Sequence, residues 1–383
     1  MREALVWPNA PESETTANLR SEVREFLAQA LSAMPPHRRA ASWTGFDAEF
    51  SRKLGMRGWI GMTWPKEYGG HERTTAERYV MLEEMLAAGA PVAAHWIADR
   101  QSGPLLLKFG TEEQKRSILP RIAAGECFSC IGMSEPGSGS DLAAVRTRAI
   151  PEAGGFRING TKLWTTNAHH AHYMLLFCRT SPLEGDRHGG TSQLLVSLKT
   201  PGIKISPIVN LAGESDFNEV VFDDVFVPGI ALVGTMGNGW EQVTSELAYE
   251  RSGPERFLSS FVLLRELVRV LQNDRSPHAS AVIGRLIAHL VVLRHMSRSV
   301  AWLLQQGSNP SLPAAMVKDL GAIFEQEIPE IARSLVDANP DAAETAEFCR
   351  VLSYTVLAAP AFSLRGGTRE ILRGIIGRGL GLR

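Results

Sequence analysis

An apolar run from Cys130 to Met133 breaks at Ser134-Glu135-Pro136 into Gly137-Ser138-Gly139-Ser140-Asp141, and the chain later reads Leu163-Trp164-Thr165-Thr166-Asn167. A strand that opens into a Ser/Gly turn offers backbone N–H groups and small hydroxyls with no Cβ in the way, which suits an electron-rich ring or a phosphate. The tryptophan adds a flat apolar wall. Taken singly, the first segment reads as a surface turn and the second as a core aromatic. Occurring together and in this order, they point to a flavin.

The elements that must hold these segments show as changes of hydrophobic period. Leu19, Val23, Phe26, Leu27 and Ala30 form one helical stripe, and a second helix carries Tyr79, Leu82, Met85 and Leu86. Thr111-Glu112-Glu113-Gln114 spells a capping box, whose helix is expected to stop near Leu119-Pro120. From Phe128 the period shortens, predicting strands at Val145 to Ile150, Phe156 to Ile158, Tyr173 to Arg179, Gln193 to Leu198 and Glu219 to Val227. Asn159-Gly160 reads as a hairpin turn. Beyond Gly237-Asn238-Gly239 helical spacing returns, with Leu263, Leu264, Leu267, Val270 and Leu271, then Ile283, Leu286, Leu290 and Leu293. The expected plan is α+β: an N-terminal helical domain over 1–127, a central β-barrel or sandwich over 128–235 and a C-terminal helix bundle over 236–383.

Bulk composition narrows the function. With 40 Lys plus Arg against 41 Asp plus Glu, the net charge of −1 argues against a nucleic-acid or membrane-surface partner. The most apolar stretch, Ala281 to Leu293, is interrupted by Arg285 and His289, so no membrane span is expected and the compartment is read as the cytoplasm. Cys127, Cys130, Cys178 and Cys349 form no disulfide framework, and Cys127 to Cys130 has metal-ligand spacing without a second ligand pair. His169, His170 and His172 have no matching carboxylate or cysteine, so no metal site is expected.

The Ser-Glu-Pro-x-x-Gly-Ser-Asp-like and Trp-x-Thr-Asn segments, in order and at this spacing, resemble the signature of the acyl-CoA dehydrogenases. The helix–β–helix order of the whole chain resembles that family too. The resemblance implies FAD, an acyl-CoA thioester oxidised to a 2,3-enoyl-CoA, and an electron-transfer flavoprotein as acceptor. By position it places Ile131, Met133 and Ser134 against the isoalloxazine ring, and Gly139 and Ser140 on the flavin or substrate-phosphate side. It sets Trp164 beside the ring, Thr166 near its reactive nitrogen and Thr368 near the ADP portion.

Desaturation at Cα–Cβ requires a hydride acceptor, which no side chain can be, and a carboxylate base desolvated enough to work near neutral pH. Many family members keep that base in a C-terminal Glu-Gly-Thr triplet; here the positions are Gly366-Gly367-Thr368. In the isovaleryl-CoA dehydrogenase branch it sits on the first helix of the C-terminal domain, and Glu250 of Leu247-Ala248-Tyr249-Glu250-Arg251 matches it. Arg251 is implied to support Glu250 or the pocket wall, and the Gly366 N–H to bind the thioester carbonyl, with the missing side chain leaving room for bulky acyl groups.

Two family motifs are missing: Arg-x-x-Phe-Gly from the Gln272 to His289 region and Gln-x-x-Gly-Gly from Phe348 to Pro360. Both omissions resemble bacterial steroid-degradation branches, and imply a homotetramer or an α2β2 heterotetramer. The segment His95 to Gln101 is expected either to line the end of the acyl cavity or to form a structural ion pair. Two alternative readings remain: a non-catalytic subunit of a heteromer, or the same fold with oxidase, desulfinase or hydroxylase chemistry.

Overall fold

The structure, a computed structural model, describes residues 5–9, 12–182, 185–274 and 276–382, without the side chains of 246–250. The chain divides into two compact units, each assembled from separate stretches of sequence.

The first unit comprises Met1–Gly45, Arg73–Val92 and Leu247–Arg383. Its early part holds α1 (Glu14–Ala30) and α2 (Pro36–Arg39). The predicted stripe of α1 buries Leu19, Val23, Phe26 and Leu27, while Ala30 is exposed and Leu31 takes its place inside.

The second unit comprises Phe46–Glu72 and Ala93–Glu246. It opens with α3 (Ala48–Met56). In chain order the first unit then supplies α4 (Thr75–Ala88), which buries Tyr79, Leu82, Met85 and Leu86. The second unit resumes with α5 (Ala93–Ile97), a π-helical turn at Ala98–Ser102, α6 (Gly103–Phe109) and α7 (Glu112–Ala123). The Thr111/Gln114 capping box forms as expected. α7 nevertheless runs past Pro120, because in the last turn the proline costs only one hydrogen bond and its own carbonyl still accepts from Ala124 N at 2.9 Å.

The strands are β1 (Ser129–Gly132), β2 (Arg148–Glu152), β3 (Gly155–Thr166), β4 (Tyr173–Arg179), β5 (Thr191–Ser197), β6 (Ile203–Ile208) and β7 (Phe217–Pro228). They form one sheet in the order β1-β4-β2-β3-β7-β6, with β5 antiparallel to β4. Ile158, Met174, Leu176, Leu194, Val196 and Val220, all without exposed surface, build its core. Burying each such side chain contributes roughly 1.5–3 kcal/mol.

Two strand readings change. Asn159-Gly160 is no hairpin turn: it is a bulge inside β3, where a Cβ on Gly160 would lie 2.5 Å from Thr147 Oγ1 and the Asn159 side chain accepts from Asp224 N. The β2–β3 turn falls at Gly154 instead, at φ 82°. β6 has no sequence signature, since Lys204 and Pro207 blur its alternation; it pairs only along β7.

α8 (Gly239–Glu250) straddles the boundary between the units. The first unit continues with α9 (Phe261–Val270), α10 (Pro277–Gln305), α11 (Ser311–Leu335), α12 (Ala346–Ala358) and α13 (Arg369–Gly379). α10 is long and apolar enough to cross a membrane by length and composition, a property shared with core helices of globular proteins; 22% of its apolar window is buried here. Ile287, Val291 and Val292 on it are exposed.

An ion-pair network ties α1, α4 and α10 together. Glu83 accepts from Arg20 at 2.9 Å and from Arg294 at 2.6 and 2.9 Å, and Glu84 pairs with Arg24 at 2.7 Å. Burial alone would raise the pKa of Glu83, but the two guanidinium groups outweigh it and hold the carboxyl below its usual range. A carboxylate depressed in the folded state contributes stability that is present above its unfolded pKa and lost as pH falls through the folded value. Glu83→Gln should therefore destabilise this unit by about 1–3 kcal/mol near neutral pH, because Arg294 loses its carboxylate while Arg20 keeps Glu12 and Glu84, with the difference from wild type shrinking in acid. Denaturation followed against pH checks this; a pH-independent difference would contradict it.

Candidate active site

The two motifs meet through a buried ion pair. Lys162, with 0% side-chain exposure, lies in β3 two residues before Trp164. Its Nζ donates to Glu135 Oε1 at 2.8 Å and to the Met133 carbonyl at 3.0 Å. Glu135 also accepts from the N–H groups of Arg146 and Thr147 at 2.7 and 2.9 Å, which fixes the start of the following turn. Burial pushes the Glu135 carboxyl up, but the Lys162 charge and these hydrogen bonds outweigh it and keep it ionised. Alongside, Leu163 N donates to the Ser134 carbonyl at 2.9 Å, so the end of β1 and the middle of β3 are locked together.

This lock shapes what surrounds it. Between Lys162 and Thr165 the β3–β7 register shifts, and Trp164 takes φ 59°, a left-handed conformation that a bulky residue adopts only under constraint. Its ring is 55% exposed, yet it is fixed edge-on to Phe217 at 6.1 Å. Thr166 pairs with Phe217 across the ladder, and Asn167 N donates to the Asp216 carbonyl at 2.7 Å. Ile131 and Met133 are half-buried, Met133 packing against Val145, Phe177 and Val243. Gly139 and Ser140 are exposed, and a Cβ on Gly137 or Gly139 would meet nothing within 4 Å.

These residues fit a flavin. A rigid, half-exposed indole, an open glycine turn, and the buried Thr165 Oγ1 and Asn167 Nδ2 without protein partners among the described residues suit a polar-edged aromatic ring.

In the first unit, Thr368 precedes α13, and Gly366 and Gly367 take φ 69° and 97°. Arg251 Nε donates to the Gly366 carbonyl at 3.2 Å. The room expected beside Gly366 is filled: a Cβ there would lie 3.1 Å from the Arg256 guanidinium. Arg256 carried no sequence signal, because its approach to Gly366 spans the whole C-terminal region. Glu250 ends α8, and its side chain lies outside the described residues.

The other candidates have structural occupations. His169 pairs with Asn218, His170 stacks on Phe46 at 4.3 Å and His172 Nδ1 accepts from Phe128 N, and no metal-binding cluster exists among the described residues. Burial pushes the Cys127 thiol up to about 11, away from thiolate chemistry. His95 on α5 bonds Ser51 at 2.8 Å, and Asp99 in the π-helical turn accepts from Gly61 N at 2.7 Å.

Comparison with known proteins agrees with this architecture. The family description "Acyl-CoA dehydrogenase, N-terminal domain" matches residues 13–126 and "Acyl-CoA dehydrogenase, middle domain" matches 130–225. The acyl-CoA dehydrogenase IpdE1 of Mycobacterium tuberculosis is 34% identical, covering 95% of this chain and 97% of its own. The solved structure named "Tcur3481-Tcur3483 steroid ACAD" superposes with a TM-score of 0.87 at 29% identity, covering 97% of this chain and 98% of that one. A chain of the ChsE4-ChsE5 complex from Mycobacterium tuberculosis does so at 0.84 and 30%, covering 98% and 100%. The chain belongs to the acyl-CoA dehydrogenase family. Its chemistry is the FAD-dependent α,β-dehydrogenation of an acyl-CoA thioester to a 2,3-enoyl-CoA.

Lys162→Met should cost about 3–5 kcal/mol, because Glu135 is left buried and unpaired. The double variant with Glu135→Gln should recover most of that stability without recovering flavin, since the bond from Lys162 to the Met133 carbonyl stays cut. Melting and bound-flavin content read the two effects; flavin retention in the single variant would contradict the lock.

Proposed function

We propose that Glu250 is the base that removes the α-proton of the thioester. The support is the glycine at 366, which leaves the C-terminal triplet without a carboxylate, together with a glutamate at the end of α8. FAD, when bound, accepts the hydride from the β-carbon. Ile131, Met133 and Ser134 meet the ring, Trp164 flanks it, and Thr166 donates near its reactive nitrogen, stabilising charge on the reduced ring. Gly139 and Ser140 hold the flavin or substrate-phosphate side, and Thr368 the ADP portion. The Gly366 N–H binds the thioester oxygen, and Arg251 pins that glycine through its carbonyl.

The electrons pass to an electron-transfer flavoprotein, and the protein works in the cytoplasm. An unlike chain of the same family completes the assembly as an α2β2 tetramer. Two observations support a partner chain: the missing adenine motifs, and the exposed apolar Ile287, Val291 and Val292 on α10. One similar structure is a complex of two named chains and another is named a steroid enzyme, which supports a bulky, ring-bearing acyl group.

Glu250→Gln should keep bound flavin and slow its anaerobic reduction by acyl-CoA by about 10²–10⁴-fold, the usual worth of a general base. Loss of solvent exchange at the α-carbon should accompany it. Reduction at the wild-type rate would reject Glu250.

A further inference from the structure

Arg256 has almost no exposed surface, and its surroundings are built to bring it close to the backbone. Gly253 admits the Glu255 carboxylate, which a Cβ there would strike at 2.0 Å, and Gly321 lets α11 approach the Arg256 carbonyl, 2.1 Å from where its Cβ would stand. The Arg256 guanidinium then lies against Gly366, with Cζ, Nη1 and Nη2 at 3.1 to 3.2 Å from the position a Cβ would occupy. The Gly366 N–H donates to none of the described residues, while the carbonyl of the same residue is held by Arg251. The residue that keeps a free N–H among the described residues thus has a buried cation where its Cβ would stand, at the position where relatives with the triplet carry a carboxylate.

We infer that Arg256 stabilises the negative charge that develops on the thioester oxygen as the α-proton leaves, acting through the Gly366 peptide as a positioning and electrostatic residue. This rests on the reading that the Gly366 N–H binds that oxygen. In the step concerned, the α-proton moves to the Glu250 carboxylate and the C–H electron pair delocalises onto the thioester oxygen. A fixed cation in a buried site favours that charged state more than the neutral ground state, so its effect falls on rate more than on binding. The Glu255 carboxylate, 3.8 Å from Arg256 Nε, opposes this effect, but the guanidinium and not the carboxylate lies against Gly366, so the nearer charge sets the sign. A carboxylate base at 366 would be incompatible with this arrangement, since Arg256 would depress its pKa and weaken it as a base.

The test uses the flavin-loaded enzyme and para-dimethylaminocinnamoyl-CoA, whose absorption moves to the red as its thioester carbonyl is polarised. Wild type should show the red shift. Arg256→Met should lose most of it and lower kcat about tenfold with KM nearly unchanged, and Arg256→Lys should restore part of both. Should Arg256→Met fail to fold, Arg256→Gln serves: it removes the charge, keeps a planar hydrogen-bonding end and leaves Gly366 untouched, and it should reduce the shift in the same way. A red shift in wild type that persists in the folded variants overturns the role of Arg256 alone. No red shift in wild type overturns the Gly366 reading and this inference with it.

Discussion

Lys162 has no exposed side-chain surface; burial pulls its pKa below the ordinary lysine value while the Glu135 charge opposes this, and such a group is tolerated only when its partner is held in place. Glu135 is that partner, and it in turn orders the backbone of Arg146 and Thr147. The pair explains why the end of β1, the glycine turn and the bulge of β3 stand together, although about two dozen residues separate the motifs in sequence. A hydrophobic pair of the same volume would be at least as stable, so the benefit lies in geometry. Charge-assisted hydrogen bonds to the Met133 carbonyl and Glu135 define one register, and that register forces Trp164 into its left-handed, half-exposed pose.

The same logic operates in the other unit at a different place. Arg251 and Arg256 converge on Gly366 from the segment that follows α8, where the helix is broken by Gly253-Pro254 and a 3-10 turn at Pro254–Arg256. The break lets the arginines fold back towards a loop that a continuous helix would carry them past. Glu325 and Arg365 pack beside Glu255 and Arg256, so the buried arginine at Gly366 has carboxylates near it.

Local signals were readable from the chain. The α1 stripe, the Thr111/Gln114 capping box and strands β4 and β7 follow from periodicity and from side chains that satisfy neighbouring backbone groups. The flavin motifs were readable only as a pair, because singly one reads as a surface turn and the other as a core aromatic. What escaped was set by distant partners. Asn159-Gly160 looked like a turn until Thr147 and Asp224 claimed the space around it. β6 is a strand only because β7 offers an edge. Glu135 and Lys162 are an unremarkable acid and base in sequence, and the contact of Arg256 with Gly366 needs the whole helical unit to fold.

This chain belongs to a family that oxidises acyl-CoA thioesters on a flavin, and both flavin motifs are present in it. The most direct measurement is an anaerobic visible spectrum of the purified protein, before and after addition of straight, branched and ring-bearing acyl-CoAs. The account predicts a yellow protein whose oxidised-flavin band is bleached by one of these classes. A yellow protein bleached by none, or a colourless one, would contradict it.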